Sequence, residues 1–160
     1  MPSTEPRPRP TPSVAALVVT WNSAKVVVGL LDSLASGFEG VEWHVVIADN
    51  DSADETVGKI ESWCAEHADA RVRIVHTGGN LGYAAGINAA RAKAERHDAA
   101  LVLNPDIRLH PGSVRRMLDF IEADAGAGAG EGEGEADSAI GRKPPHPRTG
   151  IVVPRIEDED

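Results

Sequence analysis

The feature that most constrains the fold is a regular alternation of strand-like and helix-like hydrophobic patterns between Val14 and Glu122. Val14–Thr20 is a continuous apolar run, which is typical of a strand buried on both faces. The next apolar residues fall three and four positions apart, as on one face of a helix: Val27, Leu30, Leu31 and Leu34. Such alternation predicts an α/β domain with a mostly parallel sheet and helices on both of its faces.

The same alternation continues along the chain. Further strands are predicted at Trp43–Asp49, Val72–His76 and Ala99–Asn104, and Ile151–Val153 is a candidate fifth strand. Helices are predicted between them around apolar or small residues: Val57, Ile60, Cys64, Ala85, Ala89, Ala92, Val114, Met117, Leu118 and Ile121. The stretch 52–55, which begins with Ser and ends with Glu, has the spacing of a capping box for the second helix.

Composition divides the chain into four segments. Residues 1–13 are a Pro-rich lead, which we expect to be disordered, and residues 14–122 hold the folded domain. Residues 123–149 are a low-complexity insertion with too little apolar surface to offset the entropy of the chain. Residues 150–160 add an apolar run and an acidic end to the same domain. The net charge of −9 argues against a nucleic-acid binder, which would show a basic face.

The chain shows no sign of export or of membrane insertion. Cys64 is its only cysteine, which excludes an internal disulfide framework and suits a reducing compartment. No apolar stretch approaches the roughly 20 residues that a membrane helix needs, and the N-terminal segment lacks the apolar run of a signal peptide. We therefore expect a cytoplasmic protein without a transmembrane segment, and peripheral association with a membrane stays open.

Polar or glycine-rich clusters follow each of the first four predicted strands. They are TWNS at 20–23, DNDS at 49–52, HTGGNLG at 76–82 and NPD at 104–106. Ligands of open α/β sheets bind at this edge, glycines let a backbone approach a ligand, and a carboxylate suits Mg²⁺ or Mn²⁺. Each cluster alone also fits a turn or a helix cap, but their convergence predicts a functional site.

In order and context, four stretches resemble family 2 glycosyltransferases of the GT-A fold. They are VVTWNS at 18–23, DNDSADET at 49–56, NLGYAAGIN at 80–88 and LNPD at 103–106, and the rhamnosyltransferase-like branch is the most similar. The resemblance implies a Rossmann-like GT-A nucleotide-binding domain and an inverting sugar transfer. It also implies a nucleotide-sugar donor, with dTDP-rhamnose the first to consider, and an unknown glycan or lipid-linked acceptor.

The resemblance implies roles for individual residues near the donor. Thr20 and Asn22 would lie at the floor of the nucleotide pocket, and Asp49 would face the nucleobase. Three further residues match the stretch that lines the donor site in the family: Asn80, Gly82 and Asn88.

The implied metal site departs from the family pattern. Asp106 matches the last aspartate of the Asp-x-Asp motif, and it would hold a divalent metal, Mg²⁺ or Mn²⁺, against the donor diphosphate. The first acidic position is Asn104, which leaves one carboxylate and places an amide at the donor site. Family members also continue into an acceptor half that carries the general base, and no residue here is a candidate for that base. The expectation is therefore a truncated donor-binding half that needs a missing half or an oligomer partner.

Two other functions stay open on the sequence alone. A folded nucleotide-sugar site without turnover would be a binding module. The DND stretch at 49–51 resembles the nucleophile motif of haloacid-dehalogenase-like phosphatases, although of their further catalytic groups only Asp106 is available. A Rossmann dehydrogenase is disfavoured because no G-x-G-x-x-G follows the first strand.

Overall fold

The computed structural model describes residues 11–127, and these form four strands and four helices in strict alternation. The elements are β1 Ser13–Thr20, α1 Val27–Gly37, β2 Glu42–Asp49, α2 Thr56–His67, β3 Val72–His76, α3 Tyr83–Lys93, β4 Ala99–Leu103 and α4 Ser113–Ala127. The predicted order of elements is confirmed over this range. The candidate fifth strand, Ile151–Val153, and the prediction for 150–160 lie outside the described residues, as does most of 123–149.

The four strands form one parallel sheet in the order β3-β2-β1-β4. β1 pairs with β2 from Ser13 opposite Glu42 to Thr20 opposite Asp49, and its other edge pairs with β4. Every residue of β1 from Val14 to Thr20 is buried, as its continuous apolar run predicts for a strand covered on both faces. Because all pairs are parallel, the carboxyl ends of the strands meet at one edge of the sheet.

Helices cover both faces of the sheet, as predicted. On one face, α1, α2 and α4 share one buried cluster with alternate residues of β1 such as Ala16 and Val18. On the other face, α3 packs on Ala15 and Leu17. The buried residues of α3 are Gly86 and Ala90, one position after the predicted Ala85 and Ala89. A Cβ atom at Gly86 would come within 2.7 Å of the side chain of Val19, so α3 approaches the sheet more closely than a side chain there would allow.

The predicted capping box at Ser52 and Glu55 is wrong. Glu55 is the N-cap residue of α2, and its side chain makes no capping hydrogen bond. The Ser52 hydroxyl instead donates to Asp49 Oδ1 over 2.6 Å and accepts the backbone N–H of Asn22 over 2.9 Å. The Ser52 hydroxyl is therefore used in contacts at the ends of β1 and β2 and is not available to cap α2.

The last helix, α4, extends to Ala127, past the boundary that the sequence predicted at Glu122. Within residues 11–127, no helix is long and apolar enough to cross a membrane.

Candidate functional site

An open pocket of about 450 Å³ lies at the edge where the strands end. All four loops that follow the strands contribute to its walls, with side chains that include Trp21, Asn50, Asn80, Asn104 and Asp106. The parallel register of the sheet is the reason these distant segments meet. The predicted convergence of polar clusters at one edge is therefore confirmed.

Asp49 lies behind this pocket and is almost completely buried. Its Oδ1 accepts hydrogen bonds from Thr20 Oγ1 over 2.8 Å and from Ser52 Oγ over 2.6 Å, and its Oδ2 accepts the Ser52 N–H over 2.9 Å. Thr20 is fully buried. The two side chains bind the ends of β1 and β2 to the loop that follows β2.

This arrangement disfavours the phosphatase alternative. A nucleophilic carboxylate has to reach a substrate phosphorus atom, whereas Asp49 is only 2% exposed and holds three hydrogen bonds inside the protein.

Asn22 connects the loop after β1 to the loop after β2. Its backbone φ is +51°, a left-handed conformation that asparagine tolerates better than most residues. In this conformation, Asn22 Oδ1 accepts the N–H of Ala53 over 2.9 Å. Asn22 therefore shapes the rim of the pocket by joining two of its loops.

Two asparagine side chains hold the glycine-rich loop that precedes α3. Asn50 Nδ2 donates to the carbonyl of Gly82 over 3.1 Å, and Asn80 Oδ1 accepts the N–H of Gly82 over 3.1 Å. Gly82 has a φ of +83°, which favours glycine at this position. Asn50 is 2% exposed, and its Oδ1 has no hydrogen-bond partner in residues 11–127.

Asn104 and Asp106 follow β4 and also line the pocket. Both side chains are exposed. Asn104 Oδ1 accepts a hydrogen bond from Tyr83 Oη over 2.8 Å, which joins the start of α3 to the end of β4. Burial raises the pKa of Tyr83, and the nearby negative charge of Asp106 raises this pKa further.

The carboxylate of Asp106 is the group at the site best suited to a divalent metal. Residues 11–127 hold no cluster of three His, Cys, Asp or Glu side chains that could bind a metal without help. Mg²⁺ commonly binds through one or two carboxylates, with phosphate oxygens and water completing its shell. Asp106 fits that mode because its exposed carboxylate lies on the wall of a pocket large enough for a phosphate-bearing ligand.

The residues predicted for the site fall into three groups. Three line the pocket: Asn80, Asn104 and Asp106. Four lie in the surrounding loops or in the buried layer: Thr20, Asn22, Asp49 and Gly82. The last, Asn88, is exposed on α3 and does not line the pocket. It lies five positions after Tyr83, more than one helical turn along, so the helix carries it away from the pocket.

Sequence reasoning did not single out seven of the ten described residues that line the pocket, among them Trp21, Asn50 and Tyr83. Trp21 is 57% exposed and Tyr83 is 49% exposed. A usable signal was present, because aromatic residues are only 4% of the chain, Trp21 lies within one polar cluster and Tyr83 directly follows another. Asn50 carried no comparable signal, since its role depends on the distant carbonyl of Gly82.

A second cavity of about 320 Å³ lies near the other edge of the sheet, where β2 and β3 begin. Arg71 and Arg73 line it, but both are paired, with Asp69 and Glu95 respectively. Arg71 also lies over the ring of Trp43, 3.7 Å from its centroid. The guanidinium groups of Arg71 and Arg73 are thus engaged within the protein, and Lys93 and Arg96 also line this cavity.

Comparison with protein families agrees with this geometry. The family model described as Glycosyl transferase family 2 matches residues 15–145. No protein of curated function matches the chain.

Solved structures of other proteins share the fold. Residues 1–349 of S. aureus TarS match with 24% identity and a TM-score of 0.58, over 69% of this chain and 32% of theirs. The same TarS region in complex with UDP-GlcNAc matches with 24% identity and a TM-score of 0.58, over 69% of this chain and 31% of its own. The Pyrobaculum calidifontis mannosyltransferase PcManGT, in complex with GDP-Man and Mn²⁺, matches with 24% identity and a TM-score of 0.56, over 65% of this chain and 30% of its own. The chain thus spans about a third of the length of these proteins, and the likeness establishes an α/β fold of the GT-A kind.

Proposed function

The chain belongs to glycosyl transferase family 2, and from this membership we propose that its pocket binds the nucleotide-sugar donor of a sugar transfer. The observation that carries the proposal is the exposed carboxylate of Asp106 on the wall of a pocket that all four strand-end loops build. A site for a nucleoside diphosphate needs a cation near the phosphates, hydrogen-bonding groups and a flat apolar surface.

The start of α3 suits the phosphates of the donor. A helix N-terminus carries partial positive charge and free N–H groups, which favour anions. α3 begins at Tyr83, directly after the glycine-rich loop, and the side chains of Asn80 and Tyr83 line the pocket. The exposed ring of Trp21 offers an apolar surface for a ring of the ligand.

Asp106 would hold the divalent metal, Mg²⁺ or Mn²⁺, with phosphate oxygens and water as the other ligands. A metal bound there supplies a Lewis acid that neutralises the negative charge of the leaving nucleoside diphosphate. PcManGT, which shares the fold, has been solved with GDP-Man and Mn²⁺.

The protein's own groups would position the donor. The buried pair of Thr20 and Asp49 holds the loops after β1 and β2 in place, and Asn50 holds the glycine-rich loop through Gly82. We propose an inverting transfer by direct displacement, with dTDP-rhamnose as the first donor to test and a glycan or lipid-linked hydroxyl as the acceptor. We assign the general base on that hydroxyl to none of the described residues that line the pocket.

Binding of nucleotides tests the proposal. Calorimetric titration of the protein with UDP, GDP, dTDP and dTDP-rhamnose, each with Mn²⁺ and with EDTA, should show metal-dependent binding of at least one ligand. Asp106→Ala should weaken that binding at least tenfold. Asp119→Ala removes an exposed carboxylate from α4 and serves as the matched control, which should bind as the unchanged protein does. Equal affinity in Asp106→Ala and the unchanged protein would refute the metal assignment.

The same ligands distinguish a transferase from a binding module without turnover. We would follow the release of nucleoside diphosphate from the tightest-binding nucleotide sugar, with and without simple sugar acceptors. Release above the rate without protein supports transfer or donor hydrolysis, whereas binding without release favours a binding module.

A further inference from the structure

One contact in the pocket joins two elements that are not neighbours in the chain. Tyr83 is the first residue of α3, and its hydroxyl donates to Oδ1 of Asn104, the first residue after β4, over 2.8 Å. The contact joins the start of α3 to the loop that carries Asp106, and both of its residues line the pocket.

The contact assigns the two ends of the Asn104 amide. Its oxygen accepts from Tyr83, whereas its nitrogen has no hydrogen-bond partner in residues 11–127 and the side chain is exposed at the pocket. An amide nitrogen carries two N–H donors and no acceptor. Asn104 is therefore left with a donor group to offer to a ligand.

The orientation of the side chain matters more for an asparagine at this position than it would for an aspartate. The two oxygens of a carboxylate are equivalent, so a rotation of the group by half a turn changes nothing. The same rotation of an amide exchanges a donor for an acceptor. The hydroxyl of Tyr83 can donate or accept. In the structure it donates to the amide oxygen, and a bound diphosphate, whose oxygens only accept, would keep the amide nitrogen on the ligand side.

We propose that Tyr83 is a positioning residue that orients the Asn104 amide, so that its nitrogen donates to an oxygen of the bound nucleoside diphosphate. Asp106 is then the only side chain of the NPD stretch that serves a metal. The inference rests on the proposed function, because it specifies how that same pocket holds its ligand.

A double-mutant cycle tests whether Tyr83 acts through Asn104. The probe is whichever of UDP, GDP and dTDP the unchanged protein binds most tightly with Mn²⁺. Tyr83→Phe removes only the hydroxyl and should weaken binding about three- to tenfold, the range of one lost hydrogen bond. In the Asn104→Ala background, the same change should have no further effect. An equal loss in both backgrounds would overturn the proposal.

The orientation of the amide is also measurable without a ligand, which separates this inference from the proposed function. The side-chain amide of Asn104 should give one sharp pair of proton signals in the NMR spectrum of the unchanged protein. In Tyr83→Phe these signals should shift and broaden. The signals of Asn88, an exposed residue of α3, should not change. Unchanged Asn104 signals would refute the orienting role even if nucleotides bind. Changed signals would support it even if no nucleotide binds.

Discussion

Thr20 Oγ1 donates a hydrogen bond to Asp49 Oδ1 over 2.8 Å inside the protein, where the two side chains are 0% and 2% exposed. The two residues are also direct partners in the parallel pairing of β1 and β2. Asp49 in turn holds Ser52 through its hydroxyl and its N–H. One buried pair thus fixes where two strands end and where the loop beside the pocket begins.

We expect Thr20→Val to lower the free energy of unfolding by about 1.5 to 3 kcal/mol, because it keeps the shape of the side chain and removes a hydrogen bond to a buried carboxylate. Urea denaturation followed by circular dichroism measures the change. Thr11→Val, at an exposed position, is the matched control and should leave the stability unchanged. Equal stability of Thr20→Val and the unchanged protein would contradict the role given to this pair.

Gly86→Ala should destabilise the fold by about 1 to 3 kcal/mol, the usual effect of overpacking. The new Cβ would lie 2.7 Å from Val19 Cγ1, so α3 would have to move away from the sheet. Gly58→Ala in α2 is the control, because nothing lies within 4 Å of its Cβ position. That change should stabilise the protein by about 0.5 to 1 kcal/mol. The opposing shifts of the two thermal midpoints are the measurement, and a common direction would contradict the packing argument.

Asn104→Asp should strengthen the binding of Mn²⁺ alone by several-fold, because it adds a second carboxylate two positions from Asp106. It should weaken the binding of a nucleoside diphosphate, because it removes the amide donor proposed to hold the ligand. Calorimetry with Mn²⁺ alone, and separately with UDP or dTDP, measures both effects. Asn88→Asp introduces the same charge on the exposed part of α3 and should leave the affinity unchanged. Similar gains in both variants would mean that net charge, rather than coordination at the pocket, sets the metal affinity.

Tyr83 can be titrated on its own because it is the only tyrosine of the chain. Its phenol should lose its proton at a pH above the ordinary value, since burial and the charge of Asp106 both raise its pKa. Asp106→Asn removes that charge and should lower the pKa, and Asp119→Asn, on α4, should not. Absorbance of the phenolate near 295 nm follows the titration. An unchanged midpoint in Asp106→Asn would show that the two groups do not interact.

Asp98 should contribute stability that depends on pH. Its Oδ2 accepts hydrogen bonds from the backbone N–H of Ser13 over 2.9 Å and from the hydroxyl of Ser13 over 2.8 Å. Both bonds lower the pKa of Asp98, the backbone bond more than the hydroxyl bond. A lowered pKa in the folded state stabilises the fold above the unfolded pKa, and this stabilisation is lost as the pH falls through the folded pKa.

Asp98→Asn should therefore reduce stability at neutral pH, and the difference from the unchanged protein should shrink toward acid pH. Urea denaturation across a series of pH values measures this difference. Glu66→Gln removes an exposed carboxylate from α2 and should show no such trend. A difference that stays constant with pH would rule out the ionised carboxylate as its source.

Local patterns predicted the elements of the fold well. β3 was predicted at Val72–His76, the bounds that the structure has. The helix face of Val27, Leu30, Leu31 and Leu34 is buried as a unit. These features depend on the period of the backbone and on the burial of apolar side chains, which neighbouring residues already express. The same reasoning placed the four polar clusters at one edge, because parallel strands end together.

The contacts that build the site could not be predicted in this way. Ser52 looked like a helix cap but binds Asp49 and the backbone of Asn22. Hydrogen-bonding groups choose among all partners that the fold brings within about 3 Å, and the partner with the best geometry need not be the nearest in sequence. Only the three-dimensional structure decides that choice.

The sequence by itself determined the alternation of strands and helices, the burial of β1 on both faces and the edge at which the polar clusters gather. The tertiary structure decided which of those polar groups face the pocket and which are used inside the protein. It turned Asp49 inward, carried Asn88 away from the pocket and joined Tyr83 to Asn104 across 21 positions of the chain. Periodicity is a property of neighbouring residues, whereas the direction of a side chain and the identity of its partner depend on how whole elements pack.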